Sequence, residues 1–179
     1  VIDGSSFDLP VNFSAGTNMQ CVAVSDIDGD GKTDFAVTNF NNNNISVFRN
    51  ISTSGSLSAS SFDAPVGFNT GTGPISLAFG DLDGDGKPDL VVVNSSINTI
   101  SVFKNTSTSG IIDAGSFAAP VSFNTSSYPF YVAVGDIDGD GKPDIAVNNN
   151  SSNTFSIFRN TCTPGTINSS SFAAPVDFS

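Results

Sequence analysis

The chain has 179 residues and a formal net charge of −11, and every one of its 17 acidic residues is aspartate. It contains no histidine and no glutamate, and its six basic residues are too few for a nucleic-acid-binding surface. The usual groups for acid–base or nucleophilic catalysis are therefore missing. This composition predicts that the chain is not an enzyme, although a paired-carboxylate glycosidase site stays open.

No apolar run approaches the roughly 18 to 20 residues of a membrane-spanning helix, and no signal-peptide pattern opens the sequence. We therefore expect a soluble chain, either a mature product or a fragment of one, without a membrane span.

A unit of 55 residues occurs three times, and residues 1–13 carry a further copy of the segment that ends each unit. The predicted organisation is a spare outer strand at residues 1–13, available for donation to another subunit, followed by blades at residues 14–68, 69–123 and 124–179.

Each unit contains four strand candidates and no helical periodicity. In the first unit they are Gln20–Ser25, Phe35–Thr38, the alternating run Ile45–Phe48, and the Phe-x-x-Pro-Val-x-Phe segment Phe62–Phe68. Pro65 suits an outer strand that can spare a ladder hydrogen bond. Four antiparallel strands at this spacing predict an all-β fold built from β-propeller-type blades.

Three blades cannot close a ring, because closed propellers typically use four to eight. Two explanations are open. The chain is a piece of a longer propeller, or its exposed blade faces and spare strand are covered by other copies of the chain.

An Asp-x-Asp-Gly-Asp-Gly-x-x-Asp loop separates the first and second strands of every unit. Calcium takes six to eight oxygen ligands, and alternating carboxylates with one carbonyl supply them from a tight turn. Glycines between the ligands permit the backbone angles that such a turn needs. We predict three calcium ions, whose ligands are Asp26, Asp28, Asp30, the Lys32 carbonyl and Asp34; Asp81, Asp83, Asp85, the Lys87 carbonyl and Asp89; and Asp136, Asp138, Asp140, the Lys142 carbonyl and Asp144.

The sequence argues against two alternatives to this open calcium loop. A purely structural acidic turn is disfavoured, because close like charges repel without a counter-ion. An EF-hand is excluded at loop position 12, where a bidentate glutamate is required and Val37, Val92 and Val147 stand instead.

The run Val134-Gly-Asp-Ile-Asp-Gly-Asp-Gly-Lys-Pro-Asp-Ile-Ala-Val147 resembles the bacterial form of the FG-GAP, or VCBS-type, repeat. The resemblance covers essentially the whole chain and extends to the propellers of integrin α-subunits. It implies blades whose first two strands are joined by a calcium loop, and roles in surface adhesion, ligand display or carbohydrate binding. Together with the millimolar calcium that such open loops require, it favours an extracellular or cell-surface location.

The two cysteines fall at different places in the repeat. Cys21 lies in the first strand of the first unit, and Cys162 lies between the third and fourth strands of the last. This topology disfavours a bond within the chain. The cysteines are either unpaired or form a disulfide between subunits.

The favoured function is an extracellular, calcium-stabilised structural protein that self-associates, for example as a filament subunit. The alternative is a glycan-binding or adhesion module within a larger closed propeller. Aromatic residues at 128–131 offer rings to a sugar, but the equivalent positions of the other units do not repeat them.

Overall fold

The computed structural model describes residues 9–179, which form three four-stranded antiparallel sheets in sequence order. The first sheet contains β1 (Met19–Ser25), β2 (Asp34–Asn39), β3 (Asn44–Phe48) and β4 (Val66–Asn69). The second contains β5 (Pro74–Gly80), β6 (Asp89–Asn94), β7 (Thr99–Phe103) and β8 (Val121–Asn124). The third contains β9 (Pro129–Gly135), β10 (Asp144–Asn149), β11 (Thr154–Phe158) and β12 (Val176–Phe178).

The sheets are arranged as propeller-like blades. Strand β1 lies beside β5, and β5 lies beside β9, so the first strands of successive sheets are neighbours. The sheets do not close into a ring. The predicted all-β fold with four-stranded blades is confirmed, and the one helical element in residues 9–179 is the short 3-10 turn Phe40–Asn42. No helix in this part of the chain is long and apolar enough to cross a membrane.

Two apolar clusters hold the sheets together, one in each space between neighbours. The middle sheet contributes to both, because successive side chains of a strand point to opposite faces. Leu90 and Val92 face the first sheet, Val91 and Val93 face the third, and all four are fully buried. A continuous apolar run in β6 is therefore a strand covered on both faces.

The outer strand is shorter than predicted. Strand β4 begins at Val66, so Pro65 precedes the strand and does not lie within it. Proline has no N–H to donate to the ladder, which explains why pairing starts one residue later. Phe62 makes an isolated bridge to Asn50 before the strand begins.

The predicted spare strand lies partly outside the described residues, which begin at residue 9, and residues 9–13 form no strand. Phe13 nevertheless packs edge-on against Phe62, with ring centroids 5.2 Å apart. The same kind of contact joins the outer strand of the first sheet to the second sheet, and the outer strand of the second sheet to the third. The equivalent pairs are Phe68 with Phe117 and Phe123 with Phe172, both at 5.2 Å. Phe13 thus occupies the place of the last aromatic residue of a preceding blade.

Candidate metal centres

Each aspartate loop closes on itself through backbone donors. In the first loop, the Asp26 carboxylate accepts hydrogen bonds from the N–H groups of Asp30 and Gly31, at 3.1 and 3.0 Å. Gly29 and Gly31 have φ of 68° and 85°, in the left-handed region that favours glycine. The alternation of aspartate and glycine therefore folds the loop so that its carboxylates converge.

Three aspartates of each loop bring one carboxylate oxygen each within 4.8 Å of the others. Such a cluster of hard oxygen donors could hold a metal ion, and its chemistry suits calcium or magnesium. The clusters are Asp26, Asp28 and Asp34; Asp81, Asp83 and Asp85; and Asp136, Asp138 and Asp144. The other predicted ligands, namely Asp30, Asp89, Asp140 and the carbonyls of Lys32, Lys87 and Lys142, stay predictions.

The last aspartate of each loop is also a structural anchor. Asp34 is fully buried, and its two carboxylate oxygens accept hydrogen bonds from the N–H groups of Ile27 (2.9 Å) and Asn50 (2.8 Å). Burial raises the pKa of Asp34 to about 6, although the backbone hydrogen bond from Asn50 opposes the shift. Burial likewise raises the pKa of Asp89 to about 7. A bound cation would favour the ionised form of both.

The basic residue that follows the third strand of each blade was not among the predicted site residues. Arg49 donates to Asp28 at 2.7 Å through Nε and to Asp30 at 2.9 Å through Nη2. In the second blade Lys104 pairs with Asp83 and Asp85 in the same way.

The third blade differs from the first two. The Arg159 guanidinium lies 3.7 Å from Asp138, and its side chain is 58% exposed, against 23% for Arg49 and Lys104. The repeat of a basic residue at this position was visible in the sequence. Its meaning was not, because only the fold brings β3 and its equivalents beside the loop.

All six basic residues of the chain thus lie in or against the three loops. They are Lys32, Arg49, Lys87, Lys104, Lys142 and Arg159. The side chains of Arg49 and Lys104 neutralise part of the negative charge of their loops, and they would compete with a bound metal ion for the carboxylates.

Replacing Arg49 with glutamine is expected to tighten calcium binding at the first loop about tenfold, because a competing unit charge is removed from beside the ion. Calorimetric titration of a protein whose other loops carry Asp81→Asn and Asp136→Asn isolates this site. Arg49→Lys retains the charge and should leave the affinity nearly unchanged. Weaker binding in Arg49→Gln would show that the guanidinium orients the carboxylates and does not compete with the metal.

The first and second aspartate loops are each also bound by a segment of the following blade. We call it the clasp segment, which is residues 105–110 in the second blade and 160–165 in the third. The side chains of Asn105 and Ser107 both donate to the Ile27 carbonyl, at 2.8 and 2.9 Å. The Gly110 N–H donates to the carbonyl of Asp28 at 3.3 Å. The clasp thus binds the carbonyl of Ile27, which lies between two candidate ligands, and the carbonyl of Asp28, which is itself a candidate ligand.

The third blade repeats this grip on the second loop. Asn160 donates to the Leu82 carbonyl at 2.7 Å, and the Gly165 N–H donates to the carbonyl of Asp83 at 2.8 Å. The first and second candidate metal centres are therefore each part of the contact between two blades.

Cys162 occupies the clasp position that Ser107 holds in the second blade. It is 4% exposed and packs in the cluster between the second and third blades. Cys21 is partly exposed in β1, and both thiols are free. The disulfide between subunits stays a prediction, and forming it would require local opening around Cys162.

The FG-GAP-like repeat family matches residues 26–92 and 81–147, two overlapping segments that together span more than half of the chain. The chain belongs to the FG-GAP-like repeat family. Both matched segments begin at the first aspartate of a loop, and together they contain all three aspartate clusters that could hold a metal. No curated protein matches the sequence.

Proposed function

We propose that this FG-GAP-like repeat chain is an extracellular, calcium-stabilised structural protein that self-associates end to end, as a filament subunit does. The proposal covers calcium as the metal, the extracellular location and the association. The observation that carries it is that repeat positions buried between blades are exposed at the two ends of the stack. That the chain is not an enzyme stays a prediction.

The end face of the third blade exposes a position that is buried in the other blades. Ile45 and Ile100 are fully buried, but the equivalent Phe155 is 47% exposed. Phe155 stacks on Phe178, whose ring is also exposed, at a centroid distance of 5.0 Å. This face is equivalent to the face of the first blade that packs on the second, and to the face of the second blade that packs on the third.

The end face of the first blade shows the complementary pattern. Leu77 and Val132 are buried against the preceding blades, but the equivalent Val22 is 61% exposed. Apolar surface costs about 25 cal/mol per Å² while it faces water.

The two end faces are related as the partners of an inner interface are. A second copy placed after the third blade would present Val22 where the third blade presents Val132 to the second. Such a head-to-tail contact uses two different surfaces, so it generates a ring if the rotation closes and a filament if it does not.

In calcium-containing buffer at micromolar concentration, the chain is expected to sediment as species larger than a monomer. Phe155→Asp should shift it to the monomer, because association would then bury an unpaired charge. Ile111→Asp places the same charge at a residue that is 48% exposed in the connection between β7 and β8, and should leave the distribution unchanged. A wild-type monomer under these conditions would contradict the proposal.

Glycan binding is the second candidate, and it rests on exposed aromatic rings in the third blade. Tyr128, Phe130 and Tyr131 are all partly or largely exposed, with neighbouring centroids 6.3 and 6.2 Å apart. Aromatic rings of this kind can stack on the apolar face of a sugar. Tyr131 lies at the open face of the third blade, so a bound oligosaccharide would compete with end-to-end association, and sedimentation with and without the sugar separates the two functions.

A further inference from the structure

We propose that the third aspartate loop is a docking point for residues 50–55 of a second copy, and that a metal ion in this loop controls association whereas ions in the other two do not. This inference rests on the proposed self-association and assigns its specific contact. Residues 50–55 are the clasp segment of the first blade.

Within residues 9–179, no following blade or clasp covers the third loop as it does the other two. Its second residue, Ile137, is 53% exposed, whereas the equivalent Ile27 and Leu82 are each 1% exposed. In the inner loops, that residue is buried by the following blade, and its carbonyl accepts hydrogen bonds from the following clasp. The third loop therefore exposes an apolar side chain and backbone carbonyls. In the first and second loops, the equivalent side chain is buried and the equivalent carbonyls accept hydrogen bonds.

The clasp of the first blade is the matching donor. Residues 50–55 read Asn-Ile-Ser-Thr-Ser-Gly, and residues 105–110 read Asn-Thr-Ser-Thr-Ser-Gly. The Asn50 side chain donates to the Thr33 carbonyl of its own blade at 2.8 Å. Asn105 makes the equivalent bond to Pro88 and a second one to Ile27 of the preceding blade. Among residues 9–179, Asn50 makes no such second bond.

A groove of about 620 Å³ lies beside this first clasp. Its lining includes the apolar residues Leu9, Val11 and Phe13 and the mainly polar residues 52–57. The groove thus combines apolar residues for a side chain such as Ile137 with polar groups for the loop backbone. Because Phe13 sits where the outer strand of a preceding blade would place its phenylalanine, the groove continues the pattern of the inner interfaces.

The inner interfaces define the expected contact. Asn50 and Ser52 of one copy donate to the Ile137 carbonyl of another, and the Gly55 N–H donates to the Asp138 carbonyl. These two carbonyls lie within the span of the candidate ligands Asp136, Asp138 and Asp144. A cation that orders the third loop therefore also fixes the acceptors for the second copy. The first and second loops are already held by clasps within the chain.

Sedimentation velocity in calcium gives the dissociation constant of the assembly for each variant. Asp136→Asn, which removes a candidate ligand of the third loop, is expected to weaken association at least tenfold, and Asp26→Asn in the first loop should leave it within twofold. Ile137→Asp should abolish association. Ser52→Ala, which removes one clasp hydroxyl, should weaken association about fivefold, whereas Ser60→Ala, at an exposed residue outside the groove, should not change it.

The outcomes separate this inference from the function on which it rests. A wild-type chain that stays monomeric overturns both. A wild-type chain that associates while Ile137→Asp and Ser52→Ala associate equally well overturns the docking contact alone. Equal effects of Asp26→Asn and Asp136→Asn overturn the selective role of the third loop. The comparison of Ser52→Ala with Ser60→Ala decides the contact even if Asp136→Asn disturbs the third blade.

Discussion

Removing calcium should lower the melting temperature of this chain substantially. An ion that binds the folded loop and not the unfolded chain adds about 2.7 kcal/mol per site at 100 times its dissociation constant. For a domain of this size each kcal/mol corresponds to about 2–4 °C. Each filled loop should therefore contribute about 5–10 °C, and differential scanning calorimetry with calcium and with a chelator measures the sum.

The matched control is a chain with Asp26→Asn, Asp81→Asn and Asp136→Asn together, which should melt at the same temperature with and without calcium. The wild-type chain should also become more sensitive to proteolysis within the loops when calcium is chelated. Identical melting of the wild type in both buffers would contradict the assignment of calcium to these loops.

Asp89→Ala should be the most damaging single substitution in a loop, even when no calcium is present. Asp89 is fully buried, and its carboxylate accepts hydrogen bonds from the N–H groups of Leu82 (3.0 Å) and Asn105 (2.8 Å). Each buried donor left unpaired costs about 1–3 kcal/mol, so the free energy of unfolding should fall by about 2–6 kcal/mol. Urea unfolding in chelator measures the loss.

Asp85→Ala is the control from the same loop. Asp85 is exposed and pairs with Lys104 at 2.7 Å, and an exposed ion pair contributes at most about 1 kcal/mol. Equal losses in the two variants would show that the buried carboxylate acts only as a metal ligand and not as an anchor of the fold.

The repeat made most of the fold predictable. Because the pattern of Ile100 to Phe103 recurs in every unit with a period of two, the strand follows from the sequence. The burial of both of its faces does not, since Ser101 on the polar side of the pattern is also buried. The glycines predicted to need unusual backbone angles, such as Gly29, have positive φ. The loops fell between the first two strands of each blade, as predicted.

What escaped prediction depends on contacts between distant parts of the chain. Arg49 reaches Asp28 across 21 positions, and Asn105 reaches Ile27 across 78. Neither contact can be read from the local sequence pattern, because each depends on how the strands and blades pack. The exposure of Ile137 likewise follows from its place in the last blade and not from its residue type, since Leu82 at the same repeat position is buried.

The calcium stoichiometry of the chain tests the central claim most directly. Isothermal titration calorimetry of the chelator-treated protein should show three calcium ions bound per chain, with Asp83→Ala reducing the number to two or weakening the site of the middle blade. A titration in which the folded wild-type protein takes up no calcium would contradict the account.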